Sequence, residues 1–180
     1  MTLQSTFKKQ FSCEFSAPKS EEAGAKLLSA HDRLAALGPA YFSVTYGAGG
    51  STKDGTKQAV IDIRAKGSDV APHLSFGGDS ADKIEALLSE YKNANVTRVV
   101  ALRGDMPSCM GGSVRLTYSN ELVDFIREKT GDHFHIEVAA YPEVHPDSRS
   151  VESDLDFFKA KVDAGANSAI TQYFYNSAAY

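Results

Sequence analysis

The sequence predicts a single domain of the α/β class built on a parallel sheet. Along the 180 residues, apolar positions switch repeatedly between continuous β-rich runs and stretches with a 3.6-residue period. Strands and helices therefore alternate strictly, and no repeat, linker or low-complexity segment interrupts them. This alternation indicates parallel strands joined by helices that cover the outside of the sheet.

Six apolar runs are the predicted strands. Each is continuous rather than alternating, which is typical of strands buried on both faces. In chain order they are FSCEFS from Phe11, YFSVTY from Tyr41, DVAPHLSF from Asp69, VTRVVAL from Val96, FHIEVAAY from Phe134 and SAITQYFY from Ser168.

Five stretches between these strands have helical spacing and helix-end signals. The first runs from about Ser20 to Leu37, has acidic residues in its first turn and stops at Gly38 and Pro39. The others are a helix from Ser51 and Asp54 to near Gly67, a helix capped by Ser80 that runs through Tyr91, a helix capped by Ser119 that spans Leu122 to Lys129, and a helix that stacks Leu155, Phe158 and Val162 before Gly165.

Two parallel architectures fit this order, the open doubly wound sheet and the closed (β/α)8 barrel. Both place function at the carboxyl ends of the strands. Polar and glycine-rich segments collect at those ends, so we expect a functional site there. In order they are Glu14, TYGAGGST after the second strand, His73, RGDMP after the fourth, YPEVHP after the fifth, and Gln172.

Two of these positions have alternative interpretations. Arg103 and Asp105 either neutralise each other or serve an active-site loop separately. Glu14 either faces the barrel interior, where desolvation raises its pKa and suits general acid catalysis, or points outward at the end of a strand.

Composition and motifs argue against several other classes of protein. A net charge of -4 indicates neither a nucleic-acid nor an anionic-membrane partner, and the absence of a signal-like or membrane-spanning run predicts a cytoplasmic location. Cys13 and Cys109 provide neither a disulfide framework nor a paired zinc motif. The loop YGAGGST does not complete the dinucleotide fingerprint, which argues against a nicotinamide-binding Rossmann domain. His133 and His135 lie at the amino end of a strand, so we expect solvated histidines and no metal site.

The motifs FSCEFSAPKS, SVTYGAGGST, PHLSF, ALRGDMP, VAAYPEVHPDS and DAGANSAITQYFYN resemble those of the bacterial methylenetetrahydrofolate reductase family, in the same order. The resemblance implies a (β/α)8 TIM-type barrel that holds FAD noncovalently. It also implies hydride transfer from NADH or NADPH through the flavin to methylenetetrahydrofolate, which gives methyltetrahydrofolate in one-carbon metabolism and methionine supply. A homo-oligomer is implied for the full-length protein.

The resemblance also assigns roles to individual residues. Glu14 matches the general acid that protonates the folate, and Asp105 matches a carboxylate beside flavin and pterin that serves catalysis, cofactor and substrate. Gln172 matches a glutamine that contacts the folate or the nicotinamide. The positions that match FAD-holding residues are Thr45, His73, Arg103, Gly104, Asp105, Tyr118, Ser119, Tyr141, His145, Ser148, Asp154 and Lys161.

The chain is short for such a barrel, which typically takes about 250 residues. We therefore expect residues 1–180 to form one flavin-binding barrel domain that is incomplete at its C-terminal side and contains about six βα units. A non-catalytic flavin-binding fragment and a flavin barrel of the proline-dehydrogenase type are the alternative functions.

Overall fold

The computed structural model describes residues 9–46, 53–76, 79–104 and 118–180. Within these residues, six strands and five helices alternate as predicted, and a short 3-10 helix follows at Ser177–Ala179. The strands are β1 (Cys13–Phe15), β2 (Phe42–Val44), β3 (Val70–Leu74), β4 (Arg98–Ala101), β5 (His135–Ala140) and β6 (Ser168–Thr171). The helices are α1 (Glu21–Ala35), α2 (Lys53–Ala65), α3 (Ala81–Asn93), α4 (Ser119–Thr130) and α5 (Val151–Asp163).

All six strands form one parallel sheet, and their order in the sheet is their order in the chain. The sheet curls into a half-barrel with β1 and β6 at its edges. The α/β class and the parallel sheet are thus confirmed. The closed eight-stranded barrel is not observed in the part of the chain that the structure describes.

One face of the sheet packs against the helices and forms the hydrophobic core. Side chains on a strand alternate between faces, so every second residue of each strand points towards the helices. The buried strand residues of this face are Phe42, Val44, Val70, Leu74, Val99, Ala101, Ile136 and Val138. They meet apolar residues of the first four helices, among them Leu27, Val60, Ile63, Leu88 and Ile126.

The other face, called the inner face here, carries a more polar set of side chains. By strand register, Glu14 lies opposite Ser43, and Val100 lies between His73 on β3 and Glu137 on β5. This face positions the candidate site because its polar residues run towards the carboxyl ends of the strands.

Helix starts follow the predicted signals only in part. The Ser20 hydroxyl caps α1 by accepting a hydrogen bond from the Ala23 amide at 3.2 Å. Ser80 precedes α3 without a capping side-chain bond. Ser119 is wrong as the cap of α4, because Ser119 is the first helical residue and the Tyr118 amide donates to the Glu121 carboxylate at 2.9 Å. The predicted start at Ser51 lies outside the described residues.

Helix α5 departs furthest from its predicted packing. Leu155 is 61% exposed and Val162 49% exposed, so two of the three residues of the predicted apolar stack are not buried. Phe158 alone of the three packs against the core.

Gly55 in α2 marks a close approach between backbone segments. A Cβ at this position would lie far inside van der Waals contact with the carbonyl oxygen of Pro18. Only glycine lets α2 pack this closely on the segment that leaves β1.

Candidate active site

Most of the described candidate residues lie near the carboxyl ends of the strands or at the helix starts that follow them, whereas Lys161 lies in the last turn of α5. Two groups of these residues are brought together. The Glu14 cluster, formed by Glu14, Thr45 and His73, lies on β1 to β3. The Arg103 cluster lies beyond β4 and β5 and comprises Arg103, Tyr118, Tyr141, His145, Asp147, Ser148, Asp154 and Lys161.

Glu14 is at the centre of β1 on the inner face, opposite Ser43. Of the two alternatives for Glu14, its side chain takes the position on the inner face, where it is 57% exposed. Oε2 of Glu14 lies 3.3 Å from Nε2 of His73. The strand register therefore brings together two residues that are far apart in sequence.

His73 is largely buried, and its environment acts on its charge. Burial lowers the pKa of His73 from its ordinary value of 6.5, while the carboxylates of Glu14 and Glu137 oppose this shift. Desolvation is the stronger effect, so the neutral imidazole is favoured near neutral pH.

Thr45 connects the end of β1 to α2. Its hydroxyl accepts a hydrogen bond from the Ala17 amide at 3.1 Å, and its carbonyl accepts one from the Thr56 hydroxyl at 2.8 Å. These bonds fix the backbone immediately before residues 47–52, which lie outside the described part of the chain.

Arg103 is held from two sides in the Arg103 cluster. Its Nη1 lies 3.4 Å from Oδ2 of Asp147, and its guanidinium carbon lies 5.4 Å from the centre of the Tyr118 ring. Tyr118 in turn stacks on Phe157 with 5.8 Å between ring centres. Gly104 is half-buried, whereas Asp105 lies outside the described residues, so its predicted pairing or independence stays a prediction.

The segment after β5 is fastened to the start of α5 by Asp154. Its carboxylate accepts hydrogen bonds from the Ser148 hydroxyl at 2.9 Å and from the His145 amide at 3.3 Å. The His145 ring packs edge-on against Tyr141 at 4.5 Å and accepts a bond from the Asp147 amide through Nδ1. The predicted residues of YPEVHP are therefore brought together with Asp154.

Lys161 reaches back from α5 to the end of β5. Its Nζ donates to the carbonyl of Ala139 at 2.7 Å. Burial lowers the pKa of Lys161, and the Asp154 carboxylate partly opposes this effect. Lys161 is thus a half-buried cation whose described hydrogen bond is to a neutral carbonyl.

Gln172 and Ser119 lie at the ends of their elements. Gln172 follows β6 and has an exposed side chain. Its backbone amide donates a hydrogen bond to the Ala140 carbonyl at 2.7 Å. The Glu143 carboxylate accepts the amides of Tyr175 and Asn176, which holds the segment after Gln172 beside the YPEVHP segment. Ser119 is half-buried at the start of α4.

A polar cluster on the inner face was not predicted from sequence. The Glu137 carboxylate is 4% exposed and accepts hydrogen bonds from the Tyr41 hydroxyl at 2.7 Å and from Nη1 of Arg98 at 3.3 Å. Arg98 also donates to Asp69 through Nε at 3.0 Å. The signal for this cluster was a charged residue inside the otherwise apolar run FHIEVAAY.

The two strand-start histidines are structural rather than simply solvated. His133 contacts the Val96 carbonyl through Nε2 at 2.9 Å, and Nε2 of His135 lies 2.8 Å from the Ser168 hydroxyl. Among the described residues, no group of three or more histidine, cysteine or acidic side chains is arranged to hold a metal ion. No helix in the same residues is long and apolar enough to cross a membrane.

Comparison with known proteins gives a consistent picture. The family model of methylenetetrahydrofolate reductase matches residues 2–180. The 5,10-methylenetetrahydrofolate reductase of Escherichia coli is 40% identical over 170 residues, which cover 94% of this chain and 56% of the relative. Methylenetetrahydrofolate reductase (NADH) 1 of Arabidopsis thaliana is 37% identical over 93% of this chain and 31% of the relative. The chain thus spans little more than half the length of the bacterial relative.

Solved structures with a similar backbone show the fold alone. A 2,3-dimethylmalate lyase of the PEP mutase/isocitrate lyase superfamily aligns with a TM-score of 0.60 at 13% identity, over 91% of this chain and 58% of that chain. A sialic acid aldolase of Ruminococcus gnavus aligns with a TM-score of 0.57 at 10% identity, over 93% of this chain and 55% of that chain. These neighbours are TIM-barrel-like.

Proposed function

Because the chain belongs to the methylenetetrahydrofolate reductase family, we propose that it transfers hydride from NADH or NADPH, through noncovalently held FAD, to methylenetetrahydrofolate. The product is methyltetrahydrofolate, which serves one-carbon metabolism and methionine supply. The proposal places the protein in the cytoplasm, as a homo-oligomer when full length. The Arg103 cluster is the observation that supports it most directly.

The groups in the Arg103 cluster suit a flavin dinucleotide. A guanidinium can bind a diphosphate through two parallel hydrogen bonds, and Arg103 is already oriented by Asp147 and Tyr118. Lys161 is a half-buried cation, which an anionic ligand would stabilise. In this proposal the residues that hold FAD are Thr45, His73, Arg103, Gly104, Asp105, Tyr118, Ser119, Tyr141, His145, Ser148, Asp154 and Lys161.

The chain's own residues then have distinct tasks. FAD supplies the ring that accepts hydride from the nicotinamide and passes it to the folate. Glu14 donates a proton to a folate nitrogen as the five-membered ring opens, and its 57% exposed side chain is accessible to a substrate. Asp105 and Gln172 contact the folate, and Asp154 keeps the segment after β5 in place.

Glu14→Gln in the FAD-loaded protein tests the proposed general acid. We expect folate reduction to fall by at least about 100-fold, the usual scale of general acid catalysis, while reduction of menadione by NADH or NADPH stays close to wild type. Menadione reduction needs no proton on a folate nitrogen. Glu22→Gln, an exposed change on α1, is the matched control.

Each other outcome has a defined meaning. An equal loss in both assays would assign Glu14 a structural role. FAD binding without any turnover would indicate a non-catalytic flavin-binding chain, and proline-dependent flavin reduction would indicate a proline-dehydrogenase-type enzyme. A protein that cannot bind FAD would contradict the proposal itself.

A further inference from the structure

His73 lies between two carboxylates on the inner face of the sheet. Glu14 approaches it from β1, with 3.3 Å between Oε2 and Nε2. On the other side, Val100 pairs with both His73 and Glu137, so His73 and Glu137 flank the same residue on one face of the sheet. Three titratable side chains therefore follow one another across β1, β3 and β5.

Nε2 of His73 is a buried polar atom with no hydrogen bond in the described residues. The His73 side chain is only 12% exposed, and the Glu14 oxygen is within reach although its present geometry is not that of a hydrogen bond. A buried donor or acceptor without a partner is unfavourable. A small rotation of the more exposed Glu14 side chain would satisfy this nitrogen.

Glu137, in contrast, is fixed. Tyr41 and Arg98 both donate to its carboxylate, and Nε2 of His135 lies 3.9 Å from it. The charged groups that act on His73 are Glu14 and Glu137. Arg98, which Asp69 shares, surrounds Glu137 together with the titratable Tyr41 and His135. The negative charge on the β5 side of His73, that of Glu137, is therefore rigid, whereas the one on the β1 side, that of Glu14, can move.

We infer that His73 is a positioning residue for Glu14, and that the fixed carboxylate of Glu137 acts on His73 through its charge alone. This inference rests on the proposed function, in which Glu14 is the proton donor. A histidine suits both protonation states of its partner: Nε2–H donates to the Glu14 carboxylate, and the other tautomer accepts from the protonated carboxyl. Glu14 is thereby held in one orientation before and after it gives up its proton.

The first experiment measures the titration of His73 by NMR and needs no enzymatic activity. Glu14→Gln and Glu137→Gln each remove a negative charge that stabilises the imidazolium, so both should lower the titration midpoint of His73. Glu22→Gln on the outside of α1 should leave it unchanged, and His73→Gln identifies the resonance. If the titration midpoint of His73 is the same in Glu14→Gln as in wild type, the inference is overturned.

The second experiment compares two replacements of His73 in the FAD-loaded protein. The amide nitrogen of glutamine reaches the place of Nε2, whereas that of asparagine reaches only the place of Nδ1. We expect the ratio of folate reduction to menadione reduction to fall about tenfold or more in His73→Asn and less than about threefold in His73→Gln. Equal ratios in both variants and wild type would mean that His73 only holds flavin, which overturns the positioning role.

The two inferences can fail separately. A wild-type protein that reduces menadione but never folate overturns both the proposed function and the positioning role. A wild-type protein that reduces folate, but whose His73 does not respond to Glu14→Gln, overturns the positioning role alone.

Discussion

At the scale of single residues, the site depends on side chains that are oriented before any ligand arrives. Arg103 illustrates this because an ion pair with Asp147 and the ring of Tyr118 limit its rotamers. A preorganised guanidinium loses less entropy when it binds a diphosphate than a free side chain does.

Arg103→Lys should therefore weaken FAD binding by about tenfold, which corresponds to about 1.4 kcal/mol. Lysine keeps the charge but loses the planar, two-pronged hydrogen bonding. Quenching of flavin fluorescence during titration measures the dissociation constant. Arg33→Lys, an exposed change in the last turn of α1, is the control. An affinity equal to that of wild type would remove Arg103 from the diphosphate site.

The buried pair of Arg98 and Glu137 yields a stability prediction. Arg98→Met removes one donor to a carboxylate that is 4% exposed, but Arg98 itself is 28% exposed and Tyr41 still donates to Glu137, so we expect a loss below the about 3–5 kcal/mol that is typical of a fully buried pair. The double variant Arg98→Met with Glu137→Leu also removes the buried carboxylate and leaves only Asp69, whose side chain is 30% exposed, without Arg98, so it should unfold less easily than Arg98→Met alone. Urea denaturation measures both. A double variant that is less stable than Arg98→Met would contradict this expectation and would show that Glu137 stabilises the fold without Arg98, through the Tyr41 hydroxyl.

Sequence reasoning located most single residues but not their partners. Glu14, Arg103 and Lys161 were identified by motif, whereas Glu137 was passed over as part of an apolar strand. The contacts of Glu137 come from Tyr41, which immediately precedes β2, and from Arg98 on β4, and a linear pattern does not contain that register. The exposure of Glu14 was likewise not readable from its neighbours in sequence.

At the scale of elements, periodicity predicted which segments become strands and helices. It also predicted how residues share a helix face, since that depends on local geometry. It did not predict what each face meets: Leu27 of α1 is buried, while Leu155 of α5, placed by the same rule, is 61% exposed. Packing partners are a tertiary property.

Two helical glycines give a matched pair of substitutions. Gly55→Ala in α2 should destabilise the protein by roughly 1–3 kcal/mol, because the new methyl group would collide with the Pro18 carbonyl. Gly24→Ala in α1 meets nothing within 4 Å and should stabilise it by about 0.5–1 kcal/mol. Thermal unfolding of the two variants measures the contrast. If both changes had the same sign, the close packing of α2 on Pro18 would be wrong.

At the scale of the whole molecule, the buried His73 and, more weakly, the half-buried His135 make stability depend on pH. Burial lowers the pKa of both His73 and His135 below 6.5 in the folded protein. Between the folded-state pKa and 6.5, the unfolded chain binds more protons, so stability falls as the pH drops below about 6.5. Hydrogen bonds from Lys66 and then His31 lower the pKa of Asp32 below its ordinary 3.8. The stability that Asp32 contributes is therefore lost only as the pH falls through that acidic range, and it does not change between pH 5.5 and 7.5.

We therefore expect a lower Tm at pH 5.5 than at pH 7.5 at constant ionic strength. A loss of about 1 kcal/mol corresponds to roughly 2–4 °C for a chain of this size. Combining His73→Gln with His135→Gln should flatten the difference, since glutamine does not titrate. An unchanged Tm between the two pH values in the wild-type protein would contradict the proposed cost of protonating these rings.

The order of the strands has a consequence for synthesis. Each strand pairs with the one that precedes it in the chain, and each new pair requires only one intervening helix. The sheet can therefore form in the direction of translation. When a strand leaves the ribosome, the strand with which it pairs has already been synthesised. Each of the five described strand pairs joins neighbours in the chain, so we expect β1 to β4 to gain protection against proteolysis on stalled ribosomes before β6 has been translated.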